Sequence, residues 1–389
     1  MIACARQAAG ATDADAVGAA AADVSNWDLA IEMARAEGLL LLLARALTQA
    51  VASAPVRQRV DDAAAPLAAQ SLDRVRTLTR LTEALTRAGV RVLPYKGPML
   101  SLQLYGDVAL RDSADLDLVV PRDAYLRARA VLEREGFTSR GGHSVRQERA
   151  IFGWLGHASF GGGDRSMVEL HWRFAPYQFP FALSPDDAMD RSRLVTVGGH
   201  RLRLMAQRDL AVTLAMHGAR HLYERLEWLA GVARLVRDQG AEVAALLDHA
   251  ERLRARRLLL VSVGVMREVL GIPLDDAWNR ALAEDGDAEA AAREMRAVVL
   301  SHNRDGGQHP GGAALQQLYA RMIDGRLDWL RLVARAALLP TEREWEALPL
   351  PDALTPLYRV VRPLRLVGAY LRRLLPSPPE RAGGSDTAP

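Results

Sequence analysis

Apolar and polar positions follow two different patterns along this chain. Apolar residues three and four apart, typical of amphipathic helices, recur over residues 25–52, 66–89 and most of 207–375. Asn26 or Ser25 can cap the first helix, and Gly89 ends the second, since glycine commonly terminates helices. In the middle of the chain apolar residues form short runs or alternate with polar ones, as in β-strands. The pattern therefore predicts a small α/β core between helical segments.

The middle region divides into short strands and helices. Elements predicted before residue 140 are a strand over Val90–Leu93, a helix from Pro98 to Tyr105, a half-buried strand over Asp115–Val120 and a helix over 122–135 that ends at Gly136. Two hairpins follow: Trp154–Phe160 with Ser166–Phe174 across Gly161–Asp164, and Arg193–Val197 with His200–Leu204 across Gly198-Gly199. We predict an α+β fold in which helical segments flank a small mixed sheet.

Composition sets the expected organisation of the chain. The first 20 residues, rich in Ala and Gly, are expected to be loose, and the Pro/Gly/Ser-rich tail 376–389 to be disordered. The predicted units are an N-terminal helical segment (1–88), a core (89–205), a C-terminal helical domain (206–375) and the tail (376–389). With 389 residues, 49% of them hydrophobic, the chain can bury a large core.

The single cysteine, the lack of long apolar runs and the net charge limit the classes of protein that this chain can belong to. Cys4 is the only cysteine, which excludes an internal disulfide and a cysteine metal cluster. We see no signal peptide, and the apolar run Leu39–Leu43 is too short to span a bilayer. We therefore expect a soluble, cytoplasmic protein of bacterial type without a transmembrane segment. The net charge of +3 is spread along the chain, which does not favour nucleic acid as a partner.

Lys96 is the only lysine among 50 Lys and Arg residues. It lies in a predicted strand-to-helix turn, 19 residues before Asp115. A compact ammonium group fits where the planar guanidinium of Arg does not. We predict that Lys96 holds a phosphate; the alternative is that one lysine survived by chance in an Arg-rich composition.

Three carboxylates are candidates for metal binding. Asp115 and Asp117 are two apart on a strand and therefore point to one face, where like charges repel unless a cation binds. Mg²⁺ prefers such oxygen ligands, and Glu169, on a strand of the same alternation, is the best third carboxylate for a two-metal phosphoryl-transfer site. The turn at Lys96 and Gly97 would hold a triphosphate at a helix N-terminus. Each feature alone also fits a solvated strand face or an ordinary helix start.

These motifs resemble a known family. Lys96–Leu100, Leu104–Val119 and Glu169–Arg173 resemble the uncharacterised bacterial nucleotidyltransferase family of the polymerase-β-like superfamily, often found near ribosomal-peptide gene clusters, lasso peptides among them. The resemblance extends to His217–His221, Leu226–Leu229 and Leu357–Pro363, and thus over about residues 25–370. It implies a nucleotidyltransferase core with a mixed sheet, two Mg²⁺ (or Mn²⁺) ions and transfer of NMP from an NTP. The matching positions are Gly97 for the phosphate turn and Asp115, Asp117 and Glu169 for the metals.

The chain departs from the family pattern at two positions. Pro98 stands where a Gly or Ser usually follows the turn glycine, which removes a backbone donor and a hydroxyl, so that phosphate binding leans on Lys96. Gly231 stands where an acidic residue is expected.

Other residues have a functional and a structural interpretation. Arg111 and Arg173 flank the carboxylates and could contact phosphate or form ion pairs, and His171 shares the sheet face of Glu169. His217 and His221, one helical turn apart, could be core residues or support the site from behind, bind a metal, or line the acceptor or base pocket. Five arginines of the last helix could touch anionic lipid or RNA, or form a solvated face: Arg359, Arg362, Arg365, Arg372 and Arg373.

The resulting hypothesis is a metal-dependent nucleotidyltransferase. Its substrates would be an NTP and an acceptor hydroxyl or phosphate on a small molecule, a peptide or protein, or an RNA end. The alternative is a catalytically inactive nucleotidyltransferase-like scaffold protein in a biosynthetic cluster. An RNA-binding protein is less favoured, since the sequence shows no cluster of aromatic residues beside the basic helix.

Overall fold

A five-stranded mixed sheet is the centre of the fold in a computed structural model of the chain. The structure describes residues 1–50, 52–140, 156–163, 167–175, 179–237, 242–305, 312–339, 344 and 347–374. The strands are β1 (Leu93–Pro94), β2 (Leu116–Val119), β3 (Phe137–Ser139), β4 (His157–Gly162) and β5 (Met167–His171). Their order in the sheet is β1-β2-β5-β4-β3, with β2 and β5 parallel and the other neighbours antiparallel.

Helices surround this sheet, so the predicted α+β fold with a small mixed sheet is confirmed. The helices before the sheet are α1 (Ile2–Ala8), α2 (Ala14–Ala22), α3 (Trp27–Ala36), α4 (Leu40–Gln49) and α5 (Ala54–Arg87). Those within the core region are α6 (Gly97–Tyr105), α7 (Tyr125–Arg134) and α8 (Pro185–Arg191), with a 3₁₀ turn at Arg122–Ala124.

The C-terminal half is helical after a separate hairpin. β6 (Arg193–Val197) and β7 (His200–Leu204) pair across Gly198 and Gly199, whose φ angles of +56° and +85° fit the predicted two-residue turn. The helices that follow are α9 (Gln207–Arg220), α10 (Leu226–Val236), α11 (Val243–Arg252), α12 (Arg256–Leu270), α13 (Asp276–Ala283), α14 (Gly286–Asp305), α15 (Gly312–Met322), α16 (Arg326–Leu338), a 3₁₀ segment (Asp352–Leu357) and α17 (Tyr358–Leu374).

Two large apolar clusters hold these layers together. The first joins α1–α5 to the helices from α9 to α15, so both helical segments share one core. The second lies between the sheet, α7 and the β6–β7 hairpin, where the rings of Tyr125 and Trp172 meet edge to face at 4.7 Å. The division into four units stays a prediction from the sequence.

The expectation of a loose N-terminus is wrong. Residues 2–8 and 14–22 form helices, and Cys4, Ala5 and Ala8 are buried in the first core cluster. The small side chains that suggested a flexible composition instead let α1 lie close to α10.

Helix boundaries also differ from the predicted ones. Residues 25–52 are two helices, since Gly38, at a φ of +69°, ends α3 in the left-handed conformation that glycine favours. Asn26 caps α3 as predicted, accepting a hydrogen bond from the Leu29 amide at 3.1 Å. Helix α5 begins at Ala54 rather than residue 66, with Val60 and Ala64 buried and Pro66 inside the helix.

Some strand predictions differ from the structure, and other predictions concern residues that the structure does not describe. The first strand is Leu93–Pro94 rather than Val90–Leu93, and the sequence did not predict β3. The predicted start of a strand at Trp154, Asp164 of its turn, the tail 376–389 and the side chains of Arg372 and Arg373 lie outside the described residues. Arg362 and Arg365 of α17 pair with the buried carboxylate of Glu344, so these two arginines have structural partners.

Within the described part of the chain, every helix is too short or too polar to cross a membrane.

Candidate active site

A cavity of about 350 Å³ opens beside β2 and β5. Strand residues, the segment before β2 and residues of α9 and α10 line it. Of the residues predicted from the sequence, it is lined by Lys96, Arg111, Asp115, Asp117, Glu169, His171, Arg173, His217 and His221. The fold thus brings together side chains that are up to 125 positions apart, from Lys96 to His221.

Gly97 is buried beside this cavity rather than in its wall. Its φ of +56° is a conformation that side chains rarely adopt, and an added Cβ would lie 3.5 Å from the carbonyl oxygen of Asp115 and from Ser113 Oγ. Glycine here therefore lets the turn after β1 approach the segment that carries Asp115. A direct phosphate contact of Gly97 stays a prediction.

Asp117 is the most enclosed carboxylate of the cavity. Asp117 on β2 pairs with Glu169 on the parallel strand β5, so both side chains point to the same face of the sheet. Lys96 Nζ donates a hydrogen bond to Asp117 Oδ1 at 2.9 Å, and His171 Nε2 lies 3.0 Å from the same oxygen. His171 Nε2 is also 3.1 Å from Glu169 Oε2. The Lys96 ammonium group thus neutralises Asp117, and the His171 ring lies between the two carboxylates.

These contacts set the charge states of the buried groups. Burial alone would raise the pKa of Asp117, but Lys96 and His171 hold it well below its usual range. Burial alone would lower the pKa values of Lys96 and His171, yet Asp117 raises both, and Glu169 also raises that of His171. Asp117 is thus ion-paired in the folded protein, with Lys96 supplying a cation beside the two aspartates.

Asp115 has the opposite electrostatic environment. Burial, followed by the negative charges of Asp117 and Glu169, raises the pKa of Asp115 to about 6. Lys96 and His171 offset this only in part. Asp115 is therefore the carboxylate whose charge most needs a further cation.

The raised pKa of Asp115 predicts a pH dependence of stability in EDTA. Between about pH 4 and pH 6 the folded protein keeps a proton on Asp115 that the unfolded chain releases, so this residue's contribution to stability falls as pH rises. We expect the melting temperature of Asp115→Asn to exceed that of the wild type by a margin that grows from pH 4 to pH 6. The control is Asp112→Asn in the same cavity; a margin independent of pH would contradict the assignment.

His157 is a cavity residue that the sequence analysis missed. Its Nε2 lies 3.8 Å from Glu169 Oε1, and its ring centroid is 4.9 Å from that of His171. Burial, followed by the positive charge of His171, lowers the pKa of His157 to about 4, so its imidazole is neutral at pH 7. The predicted hairpin carried the signal, because the register of β4 and β5 pairs His157 with His171.

Arg111 and Arg173 have partners within the protein. Arg111 Nε donates to Glu227 Oε1 at 2.8 Å, and both side chains are buried. Arg173 Nε donates to the carbonyl oxygen of Ala175 at 3.4 Å. Both residues line the cavity, but Arg111 also ties the segment before β2 to α10. A contact between Arg111 and a nucleotide stays a prediction.

His217 and His221 form an aromatic wall with Trp228. The three ring centroids are 4.8–5.6 Å apart. Burial, followed by the charge of Lys96, lowers the pKa of His217 well below its usual range. Among the described residues, His157, Glu169 and His171 form the group of three that could hold a metal ion. His217 and His221 do not belong to this group.

A sequence model of a family described as uncharacterised nucleotidyltransferase matches residues 23–271, which is more than half of the chain. The chain belongs to this family. The match contains every candidate site residue of this nucleotidyltransferase-family protein and ends before the resembling segment Leu357–Pro363. A comparison with curated proteins finds no match.

The residues of this family member fit a divalent cation. Asp115 lacks full charge compensation, and the carboxylates of Asp115, Asp117 and Glu169 line one cavity. The ligand atoms of His157, Glu169 and His171 lie within 4.8 Å of one another, which adds imidazole nitrogen to the donor set. Carboxylate oxygens suit both Mg²⁺ and Mn²⁺, and imidazole favours the transition metal.

Proposed function

We propose that this protein is a metal-dependent nucleotidyltransferase that moves NMP from an NTP to an acceptor hydroxyl or phosphate. The observation that carries the proposal is that Asp115, Asp117 and Glu169 line one cavity within the matched family region. The pairing of Asp117 with Glu169 across parallel strands supports a common role.

In the proposed reaction an acceptor oxygen attacks the α-phosphorus of the NTP in line with the leaving group. A new P–O bond forms, the bond to the bridging oxygen breaks, and pyrophosphate leaves. A carboxylate oxygen of Glu169 takes the proton of an acceptor hydroxyl. Mg²⁺ or Mn²⁺, held by Asp115, Asp117 and Glu169, would neutralise phosphate charge and lower the pKa of the acceptor.

The other cavity residues have proposed supporting roles. His171 bridges Asp117 and Glu169 and orients both carboxylates. Lys96 holds Asp117 in its ionised form, and its ammonium group could also meet a phosphate oxygen. The rings of His217, His221 and Trp228 offer flat surfaces for the base or the acceptor. A cytoplasmic location and a bacterial origin stay predictions from the sequence.

The direct test is incubation of the protein with each of the four α-³²P-labelled NTPs and a cell extract, with Mg²⁺ or Mn²⁺. We expect label to pass to an acceptor, pyrophosphate to be released and EDTA to stop both. Asp115→Ala is the matched negative control. Absence of transfer from all four NTPs with either metal would contradict the proposal.

One observation favours an inactive binding protein as the second candidate. Asp117 is already neutralised by Lys96 and His171, as in a site that holds no metal. Calorimetric titration with Mn²⁺ separates the two candidates, because an inactive protein without a metal site would show no binding that depends on Asp115.

A further inference from the structure

The positively charged side chains of the cavity differ in whether the protein neutralises them. Lys96 is paired with Asp117, and Arg111 is paired with Glu227. Arg220 lines the same cavity, and among the described residues its guanidinium group has neither a carboxylate within 4.0 Å nor a hydrogen-bond acceptor. Arg220 is therefore a cation of the cavity wall with unused donors.

The backbone of Arg220 is firmly held. It is the last residue of α9, and its carbonyl oxygen accepts a hydrogen bond from Tyr319 of α15 at 2.6 Å. Neighbouring His217 and His221 pack against Trp228. The unused donors of Arg220 thus belong to a side chain whose attachment point is fixed by two other helices.

Burial makes an unmatched charge at this position costly. Arg220 is half-buried, and burial lowers the pKa of its guanidinium, an effect that Tyr95, Tyr319 and Glu169 offset only in part. A partly desolvated cation without a partner costs free energy that a bound anion would recover.

We propose that Arg220 binds the triphosphate of the NTP. A guanidinium presents donors in a planar fork that matches two phosphate oxygens. Lys96 and Arg111 are already bound to carboxylates, and the carboxylates of Asp115, Asp117 and Glu169 would repel a triphosphate that lacked a cationic partner. The inference rests on the proposed function for the identity of the anion.

The test is equilibrium binding of inorganic tripolyphosphate, ATP and adenosine to the full-length protein, measured by calorimetry with Mn²⁺ present. We expect Arg220→Gln to raise the Kd for tripolyphosphate and ATP at least tenfold and to leave adenosine binding unchanged. Arg220→Lys should recover part of the affinity, since it keeps the charge without the fork. The matched control is Arg208→Gln, at the exposed start of the same helix, where Arg208 pairs with Glu242.

The outcomes separate this inference from the proposed function. Wild-type affinity of Arg220→Gln for tripolyphosphate would overturn the role of Arg220, even if NMP transfer were intact. An equal loss of adenosine affinity would also overturn it, because the effect would then be general damage to the cavity. A selective loss of phosphate binding in a protein that transfers no NMP would uphold Arg220 and overturn only the proposed reaction.

Discussion

Asp115→Ala and Asp117→Ala are each expected to lower the rate of NMP transfer by about 10³-fold or more. Such a factor corresponds to about 4 kcal/mol of transition-state stabilisation, the order of magnitude expected when a metal ligand is lost. Steady-state release of pyrophosphate at saturating NTP measures the effect. The control is Asp112→Ala, which removes a fourth carboxylate of the same cavity wall and should keep most of the activity.

The two variants should differ in stability although they share the loss of activity. Asp117→Ala removes the partner of Lys96, whose side chain is only 13% exposed, so we expect a cost of about 3–5 kcal/mol from the unpaired buried charge. Asp115→Ala relieves repulsion and should not lower the melting temperature at pH 7.5. Equal destabilisation by both would contradict the charge distribution described above, and full activity of either would remove that residue from the reaction.

The sequence predicted the site better where its residues lie on regular elements. Alternation along β2 and β5 was enough to point Asp117 and Glu169 to one face, and the Gly198-Gly199 turn predicted the β6–β7 hairpin. These signals are local, because the period of a strand and the conformation of a turn depend on neighbouring residues. Pairing the two strands of the predicted β4–β5 hairpin would also have placed His157 beside His171.

What the sequence did not predict depends on contacts between distant segments. Arg111 and Glu227 are 116 positions apart, and no local pattern couples them. The sequence predicts that Lys96 holds a phosphate, but its pairing with Asp117 depends on how the turn after β1 meets β2. The helix at residues 2–8 exists because the apolar surface of α10 covers it, which the Ala-rich composition alone does not reveal.

Breaking the buried ion pair of Arg111 and Glu227 should have a large effect on stability. Their side chains are 6% and 3% exposed, so Glu227→Ala leaves a guanidinium charge buried without its partner. We expect the free energy of unfolding to fall by about 3–5 kcal/mol, measured by urea denaturation. The control is Glu242→Ala, which breaks the exposed pair with Arg208 and should cost less than about 1 kcal/mol.

A double variant tests whether Arg111 serves the fold or the nucleotide. Arg111→Leu with Glu227→Leu removes both buried charges, so it should be less destabilised than the sum of the two single variants. If the pair is structural, the folded double variant keeps its affinity for ATP, because Arg220 remains. If the double variant folds but loses ATP binding, Arg111 contacts the nucleotide as the sequence first predicted, and the ion pair with Glu227 positions it for that contact.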